Sequence, residues 1–309
     1  MTETSDPYAI PADFSDRVFG VLLAVADGAT HARDGEEPGE SETLSLFLLD
    51  GLLEALEWAH DGVASDEAAC MWLAGLRWYK VITGSFPEGA PEPQPRWIDE
   101  SFVGADSFAP GDPQHRSALA EKDMASVGRP IFPEADSTGV LSRAAFMALL
   151  PRVDEATTAK LATDAAALTH GSALAHKTAG AAALIVRSAL ERGSAAAPRW
   201  SELLVGLEGV AAEGLRTAVE AVTEALKNTD AHGAYDALFT CLGGEPAEET
   251  EDAIAVDVEV DIDIEVASFA CALLAAVLGT DAVSHRPASA LDPILADMHD
   301  RWVKLTIGE

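Results

Sequence analysis

The sequence predicts an all-α protein on three observations. Apolar residues recur at three-to-four-residue spacing over most of the 309 residues, those segments are rich in Ala and Leu, and a single stretch alternates with the period of a strand. Helices are expected in order at residues 15 to 29, 42 to 60, 65 to 80, 142 to 151, 154 to 168, 171 to 193, 200 to 227, 230 to 240, 266 to 278 and 289 to 304, each from its helical apolar spacing. Such amphipathic segments bury their apolar stripes against one another and leave the connecting loops on the surface.

Two stretches break the helical pattern at length. Residues 84 to 118 hold P-E-G-A-P-E-P-Q-P and F-V-G-A-D-S-F-A-P-G-D-P-Q-H, and residues 126 to 139 read S-V-G-R-P-I-F-P-E-A-D-S-T-G. Long irregular segments inside a domain are usually functional loops or insertions. The acidic E-P-A-E-E-T-E-D at 245 to 252 reads as a solvated loop. The alternating stretch is A-I-A-V-D-V-E-V-D-I-D-I-E-V-A-S-F, residues 253 to 269, which as a strand would line five carboxylates along one face. With no repeat and no linker, the whole of 1–309 is expected to be one domain, with residues 1–12 a flexible N-terminus.

Composition narrows the function. The formal net charge of -32 repels nucleic acid and anionic membranes, so neither is an expected partner. That charge suits divalent cations, basic proteins or a high-salt cytoplasm. The start M-T-E-T-S-D-P-Y carries no basic segment followed by an apolar one, and apolar runs such as Ala267 to Gly279 are too short to span a bilayer. Cys70, Cys241 and Cys271 lie far apart without C-x-x-C spacing, which points to thiols in a reducing cytoplasm and to no structural zinc.

Nucleophile elbow, P-loop, H-E-x-x-H and G-x-G-x-x-G are all absent. Carboxylate pairs remain: Glu40 with Glu42 in G-E-S-E-T-L-S-L, and Asp261 with Asp263 in V-D-I-D-I-E-V, each just ahead of a long apolar helix. Taken singly, each pair reads as helix capping, because carboxylates are favoured at a helix N-terminus. His31, His60, His115, His176, His232, His285 and His299 show no ligand spacing beyond chance and read as surface or packing residues, and the six tryptophans read as core anchors.

The order of the features carries a further reading. F-G-V-L-L-A-V-A-D-G-A-T at 19 to 30, E-S-E-T-L-S-L at 40 to 46, R-W-Y-K at 77 to 80, D-S-T-G-V-L-S-R-A-A-F at 136 to 146, L-T-H-G-S-A-L-A at 168 to 175 and A-V-D-V-E-V-D-I-D-I at 255 to 264 follow one another along the chain. In this order they resemble the ADP-ribosylglycohydrolase family over nearly the full length. The early turn is similar to the family's Thr-Asp-Asp-Thr, with Glu40, Ser41, Glu42 and Thr43 at its four positions. The late stretch is similar to Gly-Gly-Asp-Thr-Asp-Thr, with Asp261 and Asp263 at the two acids.

The resemblance implies a compact all-α domain with a metal cleft, Mg²⁺ as cofactor and an ADP-ribose-containing ligand or ADP-ribosylated protein as partner. It places Glu42, Asp261 and Asp263 on the cation, and Glu40 and Glu42 as the catalytic pair, with Glu40 a further ligand or the base. Ser137, Thr138, Gly139, Arg143, His170 and Gly171 would line the ribose and phosphate pocket. This chain departs from the pattern at Ala29, Ser41, Val260 and Ile264, where the family carries Asp, Asp, Gly and Thr. Hard cations take oxygen ligands, so fewer of them implies one ion or none. Two readings therefore stand: a hydrolase removing ADP-ribose with an altered or single-metal site, and an inactive relative that binds ADP-ribose or a protein. The late stretch is expected to stay extended to about residue 260 and to become a helix from Ile264 to about Leu278.

Overall fold

The computed structural model describes residues 10–33, 35, 37–104, 107–243 and 262–308. Its α-helices are, in order, α1 (Phe14–Arg33), α2 (Glu40–His60), α3 (Glu67–Thr83), α4 (Trp97–Ser101), α5 (Pro113–Leu119), α6 (Leu141–Met147), α7 (Glu155–Ala167), α8 (Ala173–Arg192), α9 (Ala197–Leu203), α10 (Val210–Ala225), α11 (Ala231–Gly243), α12 (Ile264–Leu278) and α13 (Asp292–Thr306). Short 3₁₀ turns lie at Thr138–Val140, Gly193–Ala196 and Gly279–Val283. Among the described residues there is no strand, only the isolated bridges Gly39 to Ala109 and Ser126 to Arg129. The all-α expectation is met.

The alternating stretch divides at the edge of the described residues. Residues 244–261, which hold Asp257, Glu259 and Asp261, lie outside them, as do residues 1–9 of the expected flexible N-terminus. From Ile264 to Leu278 the chain is helical, as expected. Asp263 caps that helix, its Oδ1 accepting from the amides of Glu265 at 2.9 Å and Val266 at 3.1 Å. The alternation was therefore misleading from 262 onward, since a cap followed by thirteen buried residues from Glu265 to Val277 is a core helix. The segment Ile264–Val283 is apolar and long enough to cross a membrane, but 83% of its apolar window is buried inside the protein.

Helix α12 packs chiefly on α1, and glycine allows the approach. A Cβ on Gly28 would sit 2.6 Å from the Ala267 carbonyl oxygen, and one on Gly20 would sit 2.6 Å from the Gly279 carbonyl carbon. The remaining helices add to one continuous apolar core. Trp78, Trp200 and Trp302 anchor it fully buried, each satisfying its indole N–H: Trp78 on Thr43 Oγ1 (3.1 Å), Trp200 on Ser188 Oγ (3.0 Å) and Trp302 on the Leu149 carbonyl (3.2 Å). Trp58 departs from the core-anchor expectation by standing exposed.

Three departures from the expected elements stand out. The single helix expected at 200 to 227 is α9 and α10, parted where Gly206 (φ 69°) and Gly209 (φ 96°) take left-handed conformations. The irregular 84 to 118 stretch carries α4 and α5, the latter opened by Asp112 as N-cap, accepting from Gln114 N at 2.8 Å, with Pro113 next. The helix expected at 142 to 151 ends at Met147.

Candidate functional site

The first turn of α2 brings Glu40, Ser41 and Glu42 into the protein, all buried. The Gly39–Ala109 bridge holds this turn in place, with Glu40 N donating to Ala109 O at 3.0 Å and Ala109 N to Pro38 O at 2.9 Å. Glu40 lies in a forked contact with the Arg116 guanidinium of α5, one arm of which is Nε to Oε2 at 2.7 Å. Glu42 Oε1 accepts from Gly39 N at 2.7 Å and from Arg33 Nη2 at 2.7 Å. Ser41 Oγ accepts from Asp112 N at 3.2 Å and lies 3.4 Å from His115 Nδ1.

A second set of side chains converges beside Ser41. His170 follows α7 and is fully buried. Its Nδ1 lies 3.0 Å from Arg143 Nη2 and 2.8 Å from Thr169 Oγ1. Arginine only donates, so Nδ1 is the accepting nitrogen and Nε2 carries the proton. Nε2 lies 2.6 Å from Ser137 Oγ and 3.3 Å from Asp112 Oδ2, and the Ser137 hydroxyl donates to that same Oδ2. His115 donates from Nε2 to Gly139 O at 3.0 Å. The site thus joins Asp112, His115, Ser137, Gly139, Arg143 and His170 from three separate segments.

The charges follow from burial. Burial alone would raise the Asp112 carboxyl, but hydrogen bonds from His170 and Ser137 and the two neighbouring imidazoles outweigh it and hold it well below the usual carboxylate range. Burial and the Arg143 charge push His115 and His170 down. Burial lowers the Arg143 guanidinium to about 10, opposed by Glu265 and Asp112. Burial raises Glu265 to about 7 against its hydrogen bonds from Ser142 (Oε2, 2.6 Å) and Ser41. Glu265 Oε1 and Arg143 Nε and Nη1 have no hydrogen-bond partner.

The arrangement is not a Ser-His-Asp nucleophile. In such a triad the imidazole uses one nitrogen for serine and the other for the acid. Here Ser137 and Asp112 face the same nitrogen, and the serine proton goes to the aspartate.

The expected ligands and pocket residues are placed as follows. Asp263 caps α12 and accepts from Thr138 Oγ1 at 2.8 Å. It and Thr138 border a cavity of about 290 Å³ whose other walls include Val210, Glu213, Gly214 and Val266. Ser137, Gly139, Arg143 and His170 meet around Asp112. Gly171 packs on backbone, where a Cβ would collide with the Ile131 carbonyl. A larger cavity of about 610 Å³, lined by Glu57, Asp297, Asp300 and Arg301 among others, touches none of these residues.

Among the described residues, the carboxylates that the resemblance assigns to Mg²⁺ are already partnered. A magnesium ion needs free, near-octahedral oxygens, whereas Arg116 and Arg33 place a fixed positive charge on Glu40 and on Glu42, and Asp263 is engaged by two amides and a hydroxyl. In this geometry Glu42 serves as helix cap and ion-pair partner. Asp112, His115 and His170 can offer ligand atoms within 4.8 Å of one another, a nitrogen-rich set suited to a zinc-like ion. In the present geometry their facing atoms are engaged in hydrogen bonds.

The comparisons bear on identity. The family model for ADP-ribosylglycohydrolase matches residues 17–306. This chain belongs to the ADP-ribosylglycohydrolase family. A solved structure described as an ADP-ribosylglycohydrolase-related protein complex superposes with a TM-score of 0.57 at 18% identity, covering 96% of this chain and 99% of that one. At that identity the likeness speaks for the fold, and the glycohydrolase fold is the all-α one seen here. No curated protein matches the sequence.

Within the glycohydrolase family frame, Asp112, His115, Glu265, Arg33 and Arg116 are the site residues that motif reading did not select. His115, read as a surface or packing residue, is buried and bonded into the site. A signal for two of them was present: Gly-Asp-Pro-Gln-His is an N-cap followed by proline at the first helical position, which marks α5 inside the irregular stretch.

Proposed function

We propose that this glycohydrolase-family chain, read as one domain over 1–309, binds an ADP-ribose-containing ligand without hydrolysing it through a magnesium centre. The observation that carries the reading is Glu42, whose Oε1 is held by the Arg33 guanidinium and the Gly39 amide, each at 2.7 Å. With Glu40 held by Arg116, the early turn already has its counter-charges built in as side chains. Two arginines there oppose a divalent cation as directly as two carboxylates would attract one. Thr138 and Asp263, which border the 290 Å³ cavity, offer hydroxyl and carboxylate groups suited to sugar hydroxyls. Ser137, Gly139, Arg143, His170 and Gly171 would shape the wall behind it. The scattered cysteines support a cytoplasmic setting.

The second reading is a hydrolase with an altered single-metal site, favoured by the Asp112, His115 and His170 group. One experiment separates them. ADP-ribose is titrated into the full chain in EDTA by calorimetry, and release of ADP-ribose from arginine- and serine-linked peptides is followed with Mg²⁺, Mn²⁺ or Zn²⁺. Binding in EDTA with no release above buffer is expected. Metal-dependent release would overturn the proposal in favour of the hydrolase, and absence of ADP-ribose binding would overturn it outright.

A further inference from the structure

Outside the site, α11 and the segment after the 3₁₀ turn Gly279–Val283 bring three exposed ligating residues together. His232 and Asp236 lie at i and i+4 on α11, one turn apart on the same face. His285 reaches them from the other segment. We propose that His232, Asp236 and His285 form a surface site for a Zn²⁺-class divalent ion. The sequence shows no ligand spacing for these histidines because the third residue of the group is distant along the chain and near only in the fold.

The geometry suits such an ion. Their ligand atoms all lie within 4.8 Å of one another. With Zn–N and Zn–O bonds of about 2.0–2.2 Å, neighbouring ligands in a tetrahedral site are roughly 3.3–3.5 Å apart. His232 Nε2 and Asp236 Oδ2 already stand 3.5 Å apart. The two imidazole rings meet at 4.5 Å between centroids, near edge-on at 73°. Two imidazoles and one carboxylate are the ligand set of a zinc-like ion and leave a fourth position open to water or a partner group.

The surroundings hold the rings in place. Tyr235 lies against the His285 ring at 4.4 Å, and its hydroxyl donates to buried Asp27 at 2.6 Å, which fixes the aromatic floor of the site. The nearby cation is neutralised elsewhere, since Arg286 pairs with Asp292 at 2.6 Å. Asp230 caps the start of α11 through the Gly233 amide at 2.8 Å, offsetting the positive helix end. A net charge of -32 further favours cations at the surface. An ion here would tie α11 to the turn that packs against it, at a place independent of the glycohydrolase-family motifs.

The test titrates Zn²⁺ into the metal-stripped full chain by calorimetry and reads the visible spectrum of the Co²⁺ form for four-coordinate geometry. Loss of second-shell groups alone typically weakens metal binding about 10–100-fold, so His232→Ala or His285→Ala should weaken Zn²⁺ by at least about tenfold and the double variant should abolish it. Cys241→Ser should leave this binding unchanged. Absence of Zn²⁺ binding would overturn the proposal. So would binding that survives the double variant, or that is lost in Cys241→Ser instead. All three ligands are exposed, so the variants should keep the native far-ultraviolet circular dichroism, which is measured alongside.

Discussion

Glu42→Gln distinguishes a structural carboxylate from a metal ligand. The Glu42 side chain is 2% exposed and that of Arg33 9%, so water screens their pairing little. Removing one member of a buried ion pair costs about 3–5 kcal/mol because the other charge stays buried. Glutamine keeps an oxygen for the Gly39 amide, and a neutral hydrogen bond of that kind contributes about 1 kcal/mol. Arg33 also retains its bond to the Glu37 carbonyl at 2.9 Å. The expected loss is therefore about 2–3 kcal/mol for Glu42→Gln and about 4 kcal/mol for Glu42→Ala. Urea denaturation in EDTA and again in Mg²⁺ measures it. The loss should be equal in both, because no ion contributes to the native state. Full stability of Glu42→Gln in EDTA, with a deficit appearing only in Mg²⁺, would refute the reasoning.

Three further outcomes are expected. Glu265 titrates near 4.5 in the unfolded chain and at about 7 in the folded one. The folded state therefore holds the extra proton between those values, and this group lowers stability as pH rises through that window, by about 3 kcal/mol at full ionisation. Glu265→Gln should flatten that slope and exceed the native protein in stability at pH 8, and parallel pH curves would count against it. Asp50 is fully buried and accepts from Arg77 (2.8 Å), Arg96 (2.8 and 3.1 Å) and Trp97 (2.8 Å). Asp50→Ala should cost about 3–5 kcal/mol by leaving those cations together, read as a fall in thermal midpoint, and a change under 1 kcal/mol would contradict the buried network. Gly28→Ala and Gly180→Ala should have opposite signs. Alanine gains about 1 kcal/mol of helix propensity at both, but at Gly28 it meets the Ala267 carbonyl at 2.6 Å, while at Gly180 its nearest neighbour is Thr163 Oγ1 at 3.4 Å. Denaturation midpoints that move the same way would show that the α1–α12 approach is not that tight.

Much of the fold was legible because helical periodicity is local. The apolar spacing of α1, α2, α8 and α12 is written in consecutive residues, and so is the Thr169-His170-Gly171 start ahead of α8. One member of each acidic pair was legible as a cap too, since Glu42 and Asp263 each serve a helix N-terminus. What distant residues do to them was not. Arg33 and Arg116 lie in separate segments, and nothing in G-E-S-E-T announces that each acid already has a guanidinium. Asp112 and His115 sit in a Pro- and Gly-rich stretch without periodicity, so their meeting with His170 is a property of chain crossing alone. The same holds for His285 beside His232 and Asp236. Glycine behaved in mixed fashion: Gly28 is needed for helix contact, Gly171 for backbone contact, and neither role is stated by the motif that contains it.

The most direct measurement is a crystal of the full chain grown with ADP-ribose and Mn²⁺, examined for anomalous scattering. The proposed function predicts ADP-ribose density bordered by Thr138 and Asp263. It also predicts no manganese peak within bonding distance of Glu40, Glu42 or Asp263, with Arg116 and Arg33 still on the two glutamates. A manganese peak bound by Glu42 and Asp263, with those arginines turned away, would contradict it.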